Sequence, residues 1–227
     1  MTGSTISILS PAMSAYAADV SSVAHSSEIR LAQLPTSEEM RHIASRLVMS
    51  LAPAEQIVAC SGIACDDPSG SFAAHAGLAL VRLGYSPVLV VDAVFPQRAT
   101  DLSPPRRAVG LSNVLANEVN FAAAVIPTDV DGLQMMAAGN PDVFKPSQLS
   151  SDAIKIVLEG FRTHRFVLLN VGSVTGSADG MMLASIADAL VLVAAKGERT
   201  KREVLRAQTE LTLLKSRFLG LVLTDVR

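Results

Sequence analysis

Cysteine is scarce: Cys60 and Cys65 are the only two in 227 residues. Two are too few for a disulfide scaffold, and the count fits a reducing cytoplasm. Charge is also thin, since Asp, Glu, Lys and Arg make up 18% of the chain, against about 25% in an average soluble domain. With 19 basic and 21 acidic side chains the formal net charge is −2. No global basic field therefore draws the chain to nucleic acid, and no nucleic-acid partner is expected. Long apolar runs are missing as well. The longest, near Leu183–Ala195, carries Asp188 and falls short of the ~20 residues that span a bilayer. The first thirty residues have no basic stretch ahead of their apolar part, which argues against secretion. What is plentiful is core material, with 49% apolar residues and a mean hydropathy of +0.38, enough for one α/β domain.

Residues 1–34 are rich in Ser and Ala without a sustained period, which reads as a flexible tail outside the core. The domain is expected to run from 35 to 227. Thr36 or Ser37 can cap a first helix, with Glu38 and Glu39 in its opening turn and Met40, Ile43, Leu47 and Leu51 on one face. Short β-branched or Leu-rich runs then recur at Gln56–Ala59, Val88–Val91, Leu133–Ala137, Phe166–Leu169, Ala189–Val193 and Phe218–Leu223. Amphipathic segments separate them near Ser71–Leu83, Ser147–Thr163, Asp179–Ala187 and Thr200–Ser216. Continuous apolar strands alternating with helices predict a mainly parallel, twisted sheet covered by helices on both faces. The stretch Arg98–Arg107 reads as a long irregular loop.

The first strand runs into a loop and then a helix, in the order IVACSGIACDDPSGSFAAHAGLAL. An α/β protein places a phosphate-binding loop there, of the form G-x-x-x-x-G-K-[ST], with backbone N–H groups around the phosphates, Lys as counter-charge and a hydroxyl on Mg²⁺. Here the placement is right and the chemistry is not, because no lysine follows the loop.

Six segments occur in a telling order: SGIACDDPSGSFAAHAGLAL, VLVVDAVFPQR, GLSNVLANE, MAAGNPDVFKPSQLSS, HRFVLLNVGS and FLGLVLTDV. They resemble the cytoplasmic tyrosine autokinases of bacterial capsule and exopolysaccharide export, relatives of the MinD/ParA-type P-loop ATPases. Those proteins read SSxPGEGKSTxAANLAxALA, LLIDADLRRP, GLSDVLxGE, LPAGxxPPNPSELLSS, FDxVIIDTPP and VLGVVLN. The resemblance covers about Pro35 to the C-terminus and implies the P-loop NTPase fold. Carried over by position, it puts the nucleotide-site lysine at Ser69, the next serine at Gly70 and the Mg²⁺-holding hydroxyl at Ser71. The Gly-Glu-Gly ahead of them becomes Asp66, Asp67 and Pro68. In the second motif Asp92 is kept, Val94 replaces an acid, and Pro96 and Gln97 replace an arginine pair. The acid of the FDxVIIDTPP segment becomes Asn170, and Asp179 matches a later aspartate.

These changes remove the lysine's charge-assisted contact, worth roughly 1.5–3 kcal/mol. They also set like charge beside a triphosphate, and Pro68 deletes a backbone donor. Asn170 cannot supply the negative charge that orders Mg²⁺. The expectation is a regulator without catalytic residues or cofactor, acting with a separate Wzz-type inner-membrane co-polymerase and held at the membrane from the cytoplasm through that partner. Asp66, Asp67, Arg98, Arg106, Arg107 and Arg199 form the expected docking patch. Two alternatives stand beside it: a divergent autokinase or ATPase that uses ATP and Mg²⁺, and a MinD/ParA-like positioning protein.

The autokinases also carry a tyrosine-rich C-terminal tail, whereas this chain stops at Arg227 and holds only Tyr16 and Tyr85. Tyr85 reads as a packing residue. Their oligomerisation motif, E-x-x-R-x-x-R, is matched by Glu38 and Arg41, with Ala44 at the second arginine. Cys60, Cys65 and His75 lack the spacing and fourth ligand of a metal site. Ser71 and His75 stand one helical turn apart, but no nucleophile elbow surrounds the serine. The mixed-sign run from Lys196 to Arg206 reads as a solvated helix face.

Overall fold

A computed structural model describes residues 5–9, 31, 36–64, 66–95, 109–150, 152–211, 214 and 216–225. Along the chain these form β1 (Thr5–Leu9), α1 (Glu38–Ser50), β2 (Ile57–Gly62), α2 (Ser69–Arg82), β3 (Val88–Asp92), α3 (Leu111–Leu115), α4 (Phe121–Ala124), β4 (Val125–Pro127), β5 (Leu133–Met136), α5 (Ala153–Phe161), β6 (Phe166–Ser173), α6 (Ala178–Ser185), β7 (Ala189–Ala195), α7 (Lys201–Leu211) and β8 (Arg217–Thr224). The strands join in one sheet of order β1-β8-β7-β2-β6-β3-β5-β4. Seven run parallel, and β4 is an antiparallel edge on β5. This is the α/β fold that the alternation of runs predicts.

The central strands are apolar on both sides because each side faces helices. Val58, Cys60, Val90 and Leu168 point into a cluster with α1 and α2, which contribute Ile43, Leu47, Phe72 and Leu78. Their neighbours Ala59, Leu89, Val91 and Leu169 point the other way, into a cluster with Leu111, Val157, Phe161, Leu183 and Ala207 from α3, α5, α6 and α7. The Met135–Met136 pair is split by the pleat, one methionine entering each cluster. Small residues let α2 ride close to the sheet. A Cβ on Gly77 would lie 2.6 Å from Val90 Cγ2, so this glycine holds its place although helices disfavour it by about 1 kcal/mol.

Helix α1 starts as its sequence dictates. Ser37 Oγ accepts the Met40 N–H at 3.2 Å, with Glu38 and Glu39 in the first turn. Tyr85 packs edge-on against Phe166, with ring centroids 5.7 Å apart. Other expectations need correction. Residues before 35 are not all outside the sheet: β1 pairs in parallel with β8, Thr5 opposite Leu221 and Ile6 opposite Val222. Leu31 is also 1% exposed within the α1/α2 cluster, and its N–H donates to the Asp129 carboxylate. The single helix expected over 147–163 is divided into a 3₁₀ turn at Pro146–Ser150 and α5. Gln148 anchors the start of the 3₁₀ turn, its Oε1 accepting the Lys145 N–H at 2.7 Å and its Nε2 donating to the Val143 carbonyl at 3.3 Å. Helices α3 and α4 and strand β4 were not anticipated, each being five residues or fewer.

Candidate functional site

Parallel pairing brings three connections to one edge of the sheet. Gly62 lies opposite Ser173 of β6 and Val193 of β7, and Asp92 of β3 lies opposite Asn170. The loop between β2 and α2 therefore meets the segments that follow β6 and β7 at the C-terminal ends of the strands, where open α/β sheets bind their ligands.

Three motif positions touch directly. Ser69 Oγ donates to Asn170 Oδ1 at 2.9 Å, and Asn170 Nδ2 donates to Asp92 Oδ1 at 3.0 Å. The Gly172 N–H also reaches Asn170 Oδ1 and the Val94 N–H reaches Asp92 Oδ1, each at 3.3 Å. All three side chains are buried, so this line of hydrogen bonds is closed within the protein. Its donors and acceptors match because Ser and Asn are neutral. A lysine and an aspartate in their places would need a different partner set.

The loop itself is organised by Asp67, whose side chain is 0% exposed. Its Oδ2 accepts the Ala64 N–H at 2.7 Å and its Oδ1 accepts the Ala195 N–H at 3.1 Å. Arg199 Nε approaches both oxygens, at 3.2 and 3.1 Å, and its outer nitrogen donates to Asp66. Burial alone would lower the Arg199 pKa, but hydrogen bonding to Asp67 and the charges of Asp67 and Asp66 outweigh it and raise the value further. Hydroxyls fix the other side of the loop. Ser173 and Thr175 both donate to the Ile63 carbonyl, at 3.0 and 2.7 Å, and Ser61 bridges the Gly172 carbonyl and the Val174 N–H.

The remaining expected site residues fall into place less closely. Gly70 is buried in the first turn of α2 and Ser71 is half-buried there. His75 donates from Nδ1 to the Ser71 carbonyl at 2.9 Å, so its ring serves the helix and not the Ser71 hydroxyl. Asp179 is half-buried in the first turn of α6. Of the expected docking patch, Asp66 is on the surface, but Asp67 is enclosed and cannot present its carboxylate to a partner. That is a correction, and its cause is the three donors, Ala64 N–H, Ala195 N–H and Arg199 Nε, that hold Asp67 inside. Arg98, Arg106, Arg107, Cys65, Tyr16, Pro96 and Gln97 lie outside the described residues. Glu38 and Arg41 pair with each other across 3.0 Å on the exposed face of α1. Cys60 is buried and its thiol pKa is pushed up to about 12 by burial, a packing residue as expected of a strand end.

Sequence reasoning missed Asn113. Its Oδ1 accepts N–H groups from Gly110 and Asn140, at 3.1 and 3.3 Å, while Nδ2 donates to Glu118 at 2.8 Å. Leu111 and Ser112 N–H groups bond the carbonyls of Ala137 and Ala138. Gly139, at φ +92°, leaves no room for a Cβ, which would lie 2.3 Å from Ser112 Oγ. The segments GLSNVLANE and MAAGN are thus one physical unit, which their spacing in the sequence did not reveal.

The motif resemblance implies magnesium and a nucleoside triphosphate at this edge, and Ser69, Asn170 and Asp67 do not fit them. Ser69 offers no charge, Asn170 spends its carbonyl on Ser69 and its amide on Asp92, and the Asp67 carboxylate already holds the loop donors. Among the described residues no group of three or more His, Cys, Asp or Glu is arranged to hold a metal ion.

No protein-family model matches the chain. Tyrosine-protein kinase YwqD of Bacillus subtilis (strain 168) is 27% identical over 116 residues, 51% of this chain and 49% of that protein. This chain is similar to the bacterial tyrosine kinases. The matched stretch spans about half the length of YwqD, whereas the similarity in structure runs nearly end to end. The BceF tyrosine kinase domain superposes with a TM-score of 0.77 at 22% identity, covering 98% of this chain and 93% of that one. The chimeric protein CapA2B2 gives 0.78 at 20% identity, over 98% and 94%. The fold is shared more distantly with the septum site-determining protein MinD of Pyrococcus horikoshii, solved with Mg-ADP, which matches 74% of this chain and 70% of its own at a TM-score of 0.59 and 15% identity.

Proposed function

We propose that this chain is a non-catalytic, tyrosine-kinase-like regulator of polysaccharide polymerisation and export, which docks on the cytoplasmic loops of a Wzz-type inner-membrane co-polymerase. The observation that carries the reading is the closed line Ser69, Asn170, Asp92. Three positions that would serve a nucleotide in a working kinase instead satisfy one another. The motif resemblance supplies the polysaccharide system and its partner, and the likeness to kinase domains supports it. The docking patch on this reading is Asp66, whose side chain is 66% exposed, the outer edge of Arg199, and the arginines 98, 106 and 107 outside the described residues. Placement on the cytoplasmic side of the membrane comes through the partner. Among the described residues no helix is long and apolar enough to cross a membrane.

Titration of the purified protein with ATP and Mg²⁺ tests the reading. Millimolar ATP at a micromolar site would add about 4 kcal/mol of stability, and no saturable rise in melting temperature is expected. In cells, Ser69→Ala should leave polymer output unchanged, while Arg106→Glu with Arg107→Glu should abolish co-purification with the co-polymerase. A saturable ATP response would favour the second reading, a divergent ATP-dependent autokinase, which the likeness to kinase domains and to a MinD holding Mg-ADP also supports.

A further inference from the structure

The Asp67 carboxylate collects N–H donors from three separate places: Ala64 within its own loop, Ala195 at the end of β7, and the Arg199 guanidinium beyond it. Two backbone amides and a guanidinium converging on one point form an oxyanion site. In this chain the oxyanion is covalently attached. The carboxylate is fully enclosed, whereas its neighbour Asp66 reaches Arg199 from solvent with a side chain 66% exposed. Asp67 also fits against the loop's glycine, since a Cβ on Gly62 would lie 2.9 Å from the Asp67 Cβ. The space beside Gly62 is therefore taken by the Ala64 carbonyl, 2.6 Å from such a Cβ, together with this side chain.

We propose that Asp67 is a tethered anion that fills a latent phosphate-class site made by the Ala64 and Ala195 N–H groups and Arg199, and that this carboxylate closes the loop to free phosphate. A group attached to the loop competes at an effective concentration of millimolar or more, and it neutralises the guanidinium that would attract a second anion. The missing lysine is thus not the whole explanation of the loop's altered chemistry, because a lysine put back at position 69 would still face an occupied site. The inference goes beyond the docking reading and is independent of it, since a partner can dock whether or not the loop is plugged.

Inorganic phosphate is the probe, with chloride at matched ionic strength as control. Wild-type protein should show no saturable shift in melting temperature up to about 10 mM phosphate. Asp67→Ala should bind phosphate with a Kd of ~1 mM or tighter, by titration calorimetry and by a rise in melting temperature, and Asp67→Ala with Arg199→Gln should lose that binding. ATP should gain less than about tenfold over phosphate in Asp67→Ala, because Ser69 and Asn170 add no cation. If Asp67→Ala does not fold unaided, phosphate but not chloride should restore its fold. Saturable binding by wild type, a folded Asp67→Ala without binding, equal binding by the double variant, or failure of phosphate to restore an unfolded variant would each overturn the proposal.

Discussion

Replacing Asn170 with aspartate restores the acid that the motif resemblance places at this position, and the structure sets the cost. Asn170 and Asp92 are 0% and 2% exposed, and the amide nitrogen lies 3.0 Å from Asp92 Oδ1. Two unit charges at that distance repel by about 5.5 kcal/mol at an effective dielectric of ~20. Taking up a proton instead costs about 4 kcal/mol at pH 7, at 1.36 kcal/mol for each unit above an ordinary aspartate pKa of ~3.9. The cheaper route wins, so Asn170→Asp should lose about 4 kcal/mol of unfolding free energy at neutral pH, with one proton shared by the pair. Folded variant then holds a proton that the unfolded chain has released, so its deficit shrinks as the pH falls, to about 1.5 kcal/mol at pH 5. The protonated carboxyl can donate to Asp92 as the amide does. Urea denaturation followed by circular dichroism measures this, since the chain has no tryptophan. A variant as stable as wild type at pH 7 without metal, or a deficit that ignores pH, would refute the reasoning. Full recovery in millimolar Mg²⁺ would show that the site accepts a metal after all.

Arg199→Ala leaves the Asp67 carboxylate buried with only two backbone donors. Loss of about 3 kcal/mol is expected, the low end for a broken buried pair because the guanidinium keeps a solvent-facing edge; Asp66→Ala, on the surface, should cost no more than about 1 kcal/mol, and chemical denaturation of both variants checks the contrast. Burial holds the imidazoles of His75 and His164 below their usual value of 6.5, against backbone hydrogen bonds that pull upward. Unfolding therefore takes up protons just below that value, so stability should fall as the pH drops below about 6.5, and His75→Gln with His164→Gln should flatten that slope in a melting-temperature series. The Cys60 thiol, with its pKa pushed up to about 12, should resist iodoacetamide in the native protein and react after denaturation, as read by peptide mapping.

Much of the fold was legible because its inner strands are short but unbroken apolar runs. β2, β3, β5, β6, β7 and β8 all fall on runs visible in the sequence, with ends shifted by a few residues. The short elements α3, α4 and β4 were not legible, since three to five residues cannot show a period. The site was legible as a set of positions: Ser69, Asn170 and Asp92 were each singled out by motif. That they bond one another was not, because this depends on which strands pair, Asp92 lying opposite Asn170. Asp67 was misjudged for a related reason. An acidic residue in a loop reads as exposed, and only the packing of the loop against Ala195 and Arg199 encloses it.

The edge strand β1 has a consequence for the order in which the molecule is built. Thr5 and Ile6 pair with Leu221 and Val222, so β1, once synthesised, waits for β8. Domains form as units and start from their N-terminal parts during synthesis, but here β1 meets its partner strand only after β8 has emerged. Contacts of such large sequence separation form slowly. The pairing of β1 with β8 is therefore a late step in completing this side of the sheet.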